Sequence, residues 1–167
     1  MILTIWRHGE AGSALTDRQR QLTDQGMDDI GFGCQQLYDA LQVRNIPAPG
    51  LILYSPWVRT AETAKIIGSA FSHATCSELE SLRPDSTVLA IERSLAECAG
   101  DPTRPAHVVL VSHQPLVSRL AGHLLGAGHG VPSLSPGALV TLSLDVVAAD
   151  CAQLLFWAVP PEYELGL

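Results

Sequence analysis

Three apolar runs of the sequence end in, or are followed by, side chains that can bind an anion or exchange a proton. These side chains belong to Arg7 and His8, to Ser55 and Arg59, and to Ser112 and His113. An arginine can bind an oxyanion through two parallel hydrogen bonds, and a histidine can gain or lose a proton near neutral pH. Together they could hold and transfer an anionic group, provided that the fold brings them to one place.

The three runs have the composition of buried strands. They are ILTIW at 2–6, LILYS at 51–55 and HVVLVS at 107–112. Each is short, nearly continuous in apolar residues and rich in β-branched side chains, which is typical of strands covered on both faces. We therefore predict that these runs are strands of one parallel sheet.

A helix is predicted after each of these strands. The segments are 23–43 with Thr23 as N-cap, 55–70 with Ser55 as N-cap and Pro56 as first helical residue, and 114–126 with a proline near its start. The loop at 126–137 leads to two further strands, at 138–144 and 153–159. They are joined by a connection too short for a crossover helix and should pair antiparallel.

This order of elements predicts an α/β fold built from residues 1–167 as a single domain. It has three layers, with helices on both faces of a mainly parallel central sheet and one antiparallel strand near the C-terminus. In such sheets ligands bind outside the carboxyl ends of the strands, where Arg7, His8 and His113 are placed. Arg59 lies about one turn into its helix, close to the positive N-terminus. This combination favours a phosphoryl group over a cation or a sugar as ligand.

Composition excludes several other classes of function. The formal net charge of −7 argues against a nucleic-acid partner. No apolar run approaches the roughly 20 residues needed to cross a bilayer, so no membrane partner is expected. The four cysteines are scattered without metal-ligand spacing and no leader precedes the first strand, so we expect a reduced, cytoplasmic protein without a metal ion or other cofactor. The modest size and acidic surface favour a monomer.

Four motifs, in order, resemble those of the histidine phosphatase superfamily, which includes phosphoglycerate mutases and acid phosphatases. They are RHGEA at 7–11, RQLTDQG at 20–26, SPWVRTAET at 55–63 and VSHQPLV at 111–117. The short length and the HQPLV form of the last motif look most like the SixA-type phosphohistidine phosphatases. The resemblance covers most of the chain and implies a phosphoglycerate mutase-like fold.

The resemblance also implies roles for four residues. His8 would be the nucleophile, Arg7 and Arg59 would bind the phosphate, and His113 would be the second histidine of the pocket. A neutral imidazole can attack phosphorus and hold the phosphoryl group as a covalent intermediate. Arg7, Arg59 and a protonated His113 would then stabilise the charge of the transition state without a metal ion.

No residue fits the role of general acid securely. Superfamily members that hydrolyse phosphate esters usually have a carboxylic acid between the last two motifs. Glu80 is the nearest candidate here, followed by Glu78 and Asp85. A phosphoramidate needs such an acid less, because an imidazole protonated on its other nitrogen leaves as a neutral ring. The absence of a well-placed acid therefore favours phosphohistidine as substrate. The segment 68–105 also lacks a long insertion, which predicts an open pocket that can receive a protein surface.

Several residues keep two interpretations. Arg20 could bind phosphate at the rim of the pocket or form a solvated salt bridge. Ser55 could cap its helix or contact the phosphate, and Trp57 could pack its helix on the sheet or anchor a partner. The remaining histidines are expected to be surface or loop residues: His73, His107, His123 and His129.

The favoured function is hydrolysis of phosphohistidine on a signalling or phosphocarrier protein, with inorganic phosphate as product. One alternative is a phosphatase of small phosphate monoesters within the same superfamily. Another, from a different class, is a non-catalytic module that binds a phosphorylated partner protein. The enzymes would release phosphate, whereas the module would only bind.

Overall fold

The described residues form one six-stranded sheet and four α-helices. The computed structural model describes residues 1–100, 105–128 and 130–167, so the expectation for His129 lies outside the described residues. The strands are β1 (Ile2–Arg7), β2 (Leu51–Tyr54), β3 (Thr75–Glu78), β4 (His107–Ser112), β5 (Leu139–Leu144) and β6 (Ala152–Ala158). The helices are α1 (Asp24–Val43), α2 (Val58–Ala70), α3 (Val88–Gly100) and α4 (Leu116–Leu125), with short 3-10 turns at Asp17–Gln19 and Glu80–Leu82.

The strand order across the sheet is β3-β2-β4-β1-β5-β6. The pairs β3-β2, β2-β4 and β4-β1 are parallel, whereas β5 is antiparallel to both of its neighbours, β1 and β6. Among the described strands, β5 alone therefore runs against the others. The predicted mainly parallel sheet with one antiparallel strand near the C-terminus is confirmed.

Strand β4 shows why the fold has three layers. All six of its residues are buried, and its four apolar residues alternate between two cores. Leu110 belongs to a core that includes Leu120 of α4, while Val109 belongs to a core that includes Ile30 of α1. Because successive side chains of a strand point to opposite faces, a strand with a continuous apolar run such as 108–111 needs helices on both sides of the sheet.

The predicted start of α1 is confirmed, but that of α2 is wrong. The Thr23 hydroxyl accepts a hydrogen bond from the Gly26 N–H at 3.0 Å, as an N-cap should. Helix α2 begins at Val58, after Trp57, and Ser55 does not cap it. The reason is that Ser55 is fully buried, and its hydroxyl is hydrogen-bonded to the ring of His113.

Two elements lie where the sequence analysis assigned none. Strand β3 is exposed along its whole length at the edge of the sheet, and its sequence TCSE carries no apolar run. Helix α3 does carry a signal, because Ile91 and Leu95 are four residues apart and are both fully buried. Only α3 could therefore have been recognised from its pattern.

His107 is not the surface residue that was expected. It is fully buried at the start of β4, with Nε2 2.9 Å from the Thr4 hydroxyl and Nδ1 2.8 Å from the Pro47 carbonyl. A carbonyl oxygen can only accept a hydrogen bond, so Nδ1 carries the hydrogen. Burial lowers the pKa of His107 to about 4, and the bond to Pro47 only partly opposes this.

We expect the protein to lose stability as the pH falls from 6.5 towards about 4, because His107 then takes up a proton in the unfolded chain but not in the folded one. His107→Gln keeps hydrogen-bonding groups but does not titrate, so its loss should be smaller. The pKa values of His8 and His113 are also lowered, so the variant should still lose part of its stability as the pH falls. Urea unfolding at about pH 7.5 and about pH 5 measures both losses; equal losses would contradict the role given to His107.

Candidate active site

The backbone pairing of the sheet continues past the strands into the residues predicted to do chemistry. The His8 N–H donates to the Ser112 carbonyl at 3.1 Å, and the Ser55 N–H donates to the Val111 carbonyl at 3.1 Å. The end of β4 therefore positions the segments that follow both of its neighbours. As a result, the rings of His8 and His113 meet edge to face, with their centroids 5.1 Å apart.

Two glycines let the loop after β1 lie against the start of α1. A Cβ atom at Gly9 would lie 2.8 Å from the Gly26 carbonyl oxygen, and one at Gly26 would lie 2.3 Å from the Glu10 carbonyl oxygen. No side chain fits at either contact. This close approach explains the glycine in RHGEA and the glycine in RQLTDQG, and it fixes the backbone beside His8.

The hydrogen bonds of His8 determine which ring nitrogen carries the hydrogen. Nδ1 lies 2.7 Å from the Gly9 carbonyl, which can only accept, so Nδ1 donates. Nε2 receives a hydrogen bond of 3.0 Å from Arg59 Nε, which can only donate. Burial, together with the charges of Arg59 and Arg7, lowers the pKa of His8 to about 4 against the opposing effect of the bond to Gly9. His8 is thus a neutral imidazole with its lone pair on Nε2.

Arg59 reaches this position from the first turn of α2. Besides donating to His8, its guanidinium binds Asp17 twice: Nη1 donates to the Asp17 carbonyl at 2.6 Å and Nη2 donates to the Asp17 carboxylate at 3.1 Å. The ring of Trp57 packs on the guanidinium, whose carbon lies 4.7 Å from the ring centroid. Trp57 therefore contributes to the site by holding Arg59.

His113 is held between Ser55 and Trp57. Its Nε2 lies 2.9 Å from the Ser55 hydroxyl, and its ring centroid lies 5.1 Å from that of Trp57. Its Nδ1 is buried without a hydrogen-bond partner among the described residues. Burial lowers the pKa of His113 to about 3, with His8 and Arg59 adding to the effect. In this structure His113 is therefore neutral at pH 7, whereas the expectation of a protonated His113 concerned the state with a phosphoryl group bound.

Arg7 and Gln114 form the wall beside the histidines. Arg7 Nη1 and Gln114 Nε2 both donate to the Leu134 carbonyl, at 2.9 Å and 2.8 Å. Within the described part of the chain, Arg7 Nε and Gln114 Oε1 are buried without a hydrogen-bond partner. Because buried polar atoms are normally satisfied, these two atoms and His113 Nδ1 are candidates for contacts with a ligand.

One cleft joins these groups. Of the predicted site residues, the structure brings together Arg7, His8, Arg20, Arg59 and His113 as lining residues. Ser55 lies behind His113 and reaches the cleft only through that ring. The cleft also contains residues that the sequence analysis did not propose: Glu10, Asp17 and Gln114.

Arg20 forms the predicted salt bridge and also lines the cleft. Its Nη1 forms a salt bridge of 3.1 Å with Asp17, and the two side chains are 37% and 56% exposed. Its other nitrogens hold the loop, because Nε donates to the Gly12 carbonyl at 2.7 Å and Nη2 donates to the Ala11 carbonyl at 2.8 Å. Arg20 therefore lies at the rim of the cleft and also anchors Asp17.

The candidate acids named from the sequence are not among the residues that line the cleft. Glu80 is paired with Arg83 at 3.3 Å, and its side chain is 74% exposed. Asp85 is paired with the same arginine at 3.2 Å, and Glu78 is exposed on β3. The carboxylates of the cleft are instead those of Glu10 and Asp17. Glu10 could have been noticed because it comes two residues after His8, whereas the position of Asp17 follows no recognisable spacing.

The cleft carries a local positive charge although the chain is acidic. Three arginines line it against two carboxylates, whereas the whole chain has a formal net charge of −7. In the described ranges, no group of three or more His, Cys, Asp or Glu side chains is arranged to hold a metal ion. None of the described helices is long and apolar enough to cross a membrane.

Comparisons with known proteins establish the fold. No protein-family model and no curated protein sequence matches the chain. The structure of the protein histidine phosphatase SixA complexed with tungstate superposes with a TM-score of 0.79 at 24% identity, covering 96% of this chain and 97% of that one. A mycobacterial glucosyl-3-phosphoglycerate phosphatase in complex with VO3 gives a TM-score of 0.69 at 18% identity, covering 95% and 99%. The chain has the phosphoglycerate mutase-like fold that its motifs implied.

We expect the ring of His8 to carry its hydrogen on Nδ1 and to have a pKa of about 4. Arg59→Met should raise this pKa by removing a nearby positive charge, but should leave it below 6.5 because burial is the larger cause. NMR of the histidine ring nitrogens over a pH series tests both statements, with His8→Gln to assign the signals. A hydrogen on Nε2, or a pKa that Arg59→Met does not change, would contradict this description of His8.

Proposed function

We propose that this protein is a phosphatase that transfers a phosphoryl group to His8 and then to water. The observation that carries the proposal is the state of His8: a neutral imidazole whose lone pair on Nε2 faces a cleft lined by Arg7, Arg20 and Arg59. An unprotonated nitrogen is what in-line attack on phosphorus needs. The nearby cations suit the charge that develops on the phosphoryl oxygens.

Each remaining residue has a role in this proposal. Arg7 and Arg59 bind the phosphoryl oxygens, and Arg20 adds positive charge at the rim. His113 Nε2 is hydrogen-bonded to the Ser55 hydroxyl, which can donate to the neutral ring or accept from the protonated one, so in either state Nδ1 of His113 can carry a hydrogen and donate it to a phosphoryl oxygen. The negative charge of the phosphoryl group offsets the arginines that lower the pKa of His113, and therefore favours its protonated form when substrate is bound.

Phosphohistidine on a protein is the substrate that we propose. Glu80, the acid candidate named from the sequence, is paired with Arg83 and does not line the cleft. An imidazole leaving group can depart as a neutral ring without a carboxylic acid, whereas an alkoxide needs one. The likeness to a structure named as a protein histidine phosphatase supports the same choice. A signalling or phosphocarrier protein in the cytoplasm remains the proposed context, with this chain acting as a monomer.

Hydrolysis of a small phosphate ester is the second candidate, and one observation favours it. Glu10 lines the cleft beside His8 and could protonate a leaving alkoxide. In the structure its carboxylate accepts a hydrogen bond of 3.0 Å from the Thr23 hydroxyl. The likeness to a glucosyl-3-phosphoglycerate phosphatase, whose substrate is an ester, points the same way.

A time course of phosphate release separates these candidates. The purified protein is given a phosphohistidine-bearing protein and a small phosphate ester in parallel, in the presence of EDTA, with His8→Gln as the inactive control. We expect release from phosphohistidine, little from the ester, and no effect of Glu10→Gln or of the matched variant Glu80→Gln. Comparable release from the ester, lost only in Glu10→Gln, would establish the esterase. Tight binding of the phosphoprotein without release of phosphate would indicate that the protein is a non-catalytic binding module.

Arg59→Ala should slow turnover by roughly 10³-fold, the lower end of what a catalytic arginine contributes to phosphoryl transfer. Its guanidinium is buried against the nucleophile, so that no water-exposed cation can replace it. Steady-state kinetics on the phosphohistidine substrate measure the loss, and Arg83→Ala, outside the cleft, is the matched control. A loss smaller than about tenfold would show that Arg59 does not stabilise the transition state.

A further inference from the structure

Arg59 is in direct contact with His8, the proposed nucleophile. A neutral imidazole nitrogen has one lone pair, and on His8 Nε2 this lone pair accepts the hydrogen of Arg59 Nε at 3.0 Å. A phosphorus atom attacked by His8 must approach along the direction of that same lone pair. Arg59 Nε and the phosphoryl group therefore cannot occupy this position together, and Arg59 has to withdraw before the transfer.

Asp17 is the residue that holds Arg59 in this position. It accepts from Nη1 through its carbonyl at 2.6 Å and from Nη2 through its carboxylate at 3.1 Å. One residue thus occupies both terminal nitrogens of the guanidinium, one through a neutral carbonyl and the other through a carboxylate oxygen. The contact is local to the cleft, because Asp17 and Arg59 both line it.

Arg20 in turn fixes Asp17. Its Nη1 binds the second carboxylate oxygen of Asp17 at 3.1 Å, while its other nitrogens hold the carbonyls of Ala11 and Gly12. The hydrogen bond from Arg20 is the main cause that lowers the pKa of Asp17, and the charge of Arg59 adds to it. Asp17 is accordingly a carboxylate at neutral pH and lies between two arginines of the cleft.

We propose that Asp17 competes with the phosphoryl group for Arg59. Between turnovers Asp17 holds Arg59 over His8 Nε2, and after the reaction the same competition speeds the departure of phosphate. This inference rests on the proposed function, because it assumes that Arg59 binds the phosphoryl group. An arriving phosphoryl group replaces the carboxylate on the guanidinium, and Arg59 then leaves the lone pair of His8. When inorganic phosphate dissociates, Asp17 takes Arg59 back.

The competition lowers the apparent affinity for phosphate, since only the fraction of molecules in which Arg59 is released can bind it. Asp17→Asn keeps the shape and the backbone carbonyl but removes the charge. We expect it to bind inorganic phosphate about fivefold more tightly, which is the largest factor that a half-exposed ion pair commonly contributes. Asp17 therefore acts as a positioning residue through Arg59, and not as a catalytic residue.

Isothermal titration with inorganic phosphate tests this expectation on the full chain. Two variants separate the specific contact from a change of charge alone. Glu10→Gln removes a carboxylate of the same cleft that is bonded to Thr23 and not to an arginine, and Asp85→Asn breaks an arginine pair outside the cleft. Tightening that is largest in Asp17→Asn supports the proposal. Unchanged or weaker binding in Asp17→Asn, or equal tightening in Glu10→Gln, overturns it.

Arg59→Ala distinguishes failure of this inference from failure of the proposed function. If wild type binds phosphate and Arg59→Ala does not, the phosphate site stands and Asp17→Asn decides the role of Asp17. If Arg59→Ala binds phosphate as wild type does, Arg59 does not hold the anion, and the proposed function and the role of Asp17 both fail.

A second readout does not involve an anion at all. Diethyl pyrocarbonate is a neutral reagent that acylates the unprotonated nitrogen of an imidazole, so its rate at His8 reports how well Arg59 covers Nε2. We expect faster modification of His8 in Asp17→Asn than in wild type, measured by mass spectrometry of peptides, with exposed His73 as internal reference. If the rate at His8 does not change, Asp17 does not hold Arg59 over the nucleophile, and the proposal is contradicted.

Discussion

The parallel pairing of β1 with β4 is the constraint on which the rest of the site depends. Its register places Arg7 opposite Ser112, so that His8 and His113 follow directly at the same edge. The pairing of β2 with β4 adds Ser55 to this edge through one further backbone hydrogen bond. A shift of either register by one residue would turn every side chain of the strand to the other face and separate the two histidines.

Burial gives the site its chemical character. His8 and His113 are 7% and 2% exposed, and both are kept neutral by this burial and by the positive charges of the neighbouring arginines. For His8 this has a direct chemical consequence, since the Gly9 carbonyl holds the hydrogen on Nδ1 and leaves Nε2 unprotonated. The same burial makes each charge in the cleft costly without a partner. Asp17 supplies that partner for Arg59.

Most of the fold and the inner part of the site could be predicted because they follow from patterns in the sequence. Apolar runs that end in Arg7, His8, Ser112 and His113 identify the strands and the edge at which they meet. The outer part could not be predicted in this way. Asp17 lies in a polar loop without periodicity, and the packing of that loop against Gly26 and Arg59 brings it into the cleft.

The errors have equally specific causes. Ser55 before a proline has the pattern of a helix cap, but the hydroxyl is bonded to the His113 ring, a contact distant in sequence. His107 has no ligand-spaced neighbour, yet Thr4 and Pro47 satisfy its ring in the core. In both cases a polar side chain is bonded to residues from another strand or loop. Such contacts depend on tertiary structure, and local patterns in the sequence do not contain them.

The measurement that tests the central claim most directly is a rapid-quench trap of the covalent intermediate. The protein is mixed with a phosphocarrier domain labelled with radioactive phosphate on histidine, quenched in alkali after milliseconds, and its peptides are mapped. A nucleophilic His8 predicts a transient label on the peptide that contains residues 7–11, stable in alkali, lost in acid and absent from His8→Gln. Turnover at full rate with no label on this peptide, or with the label on His113, would contradict the account.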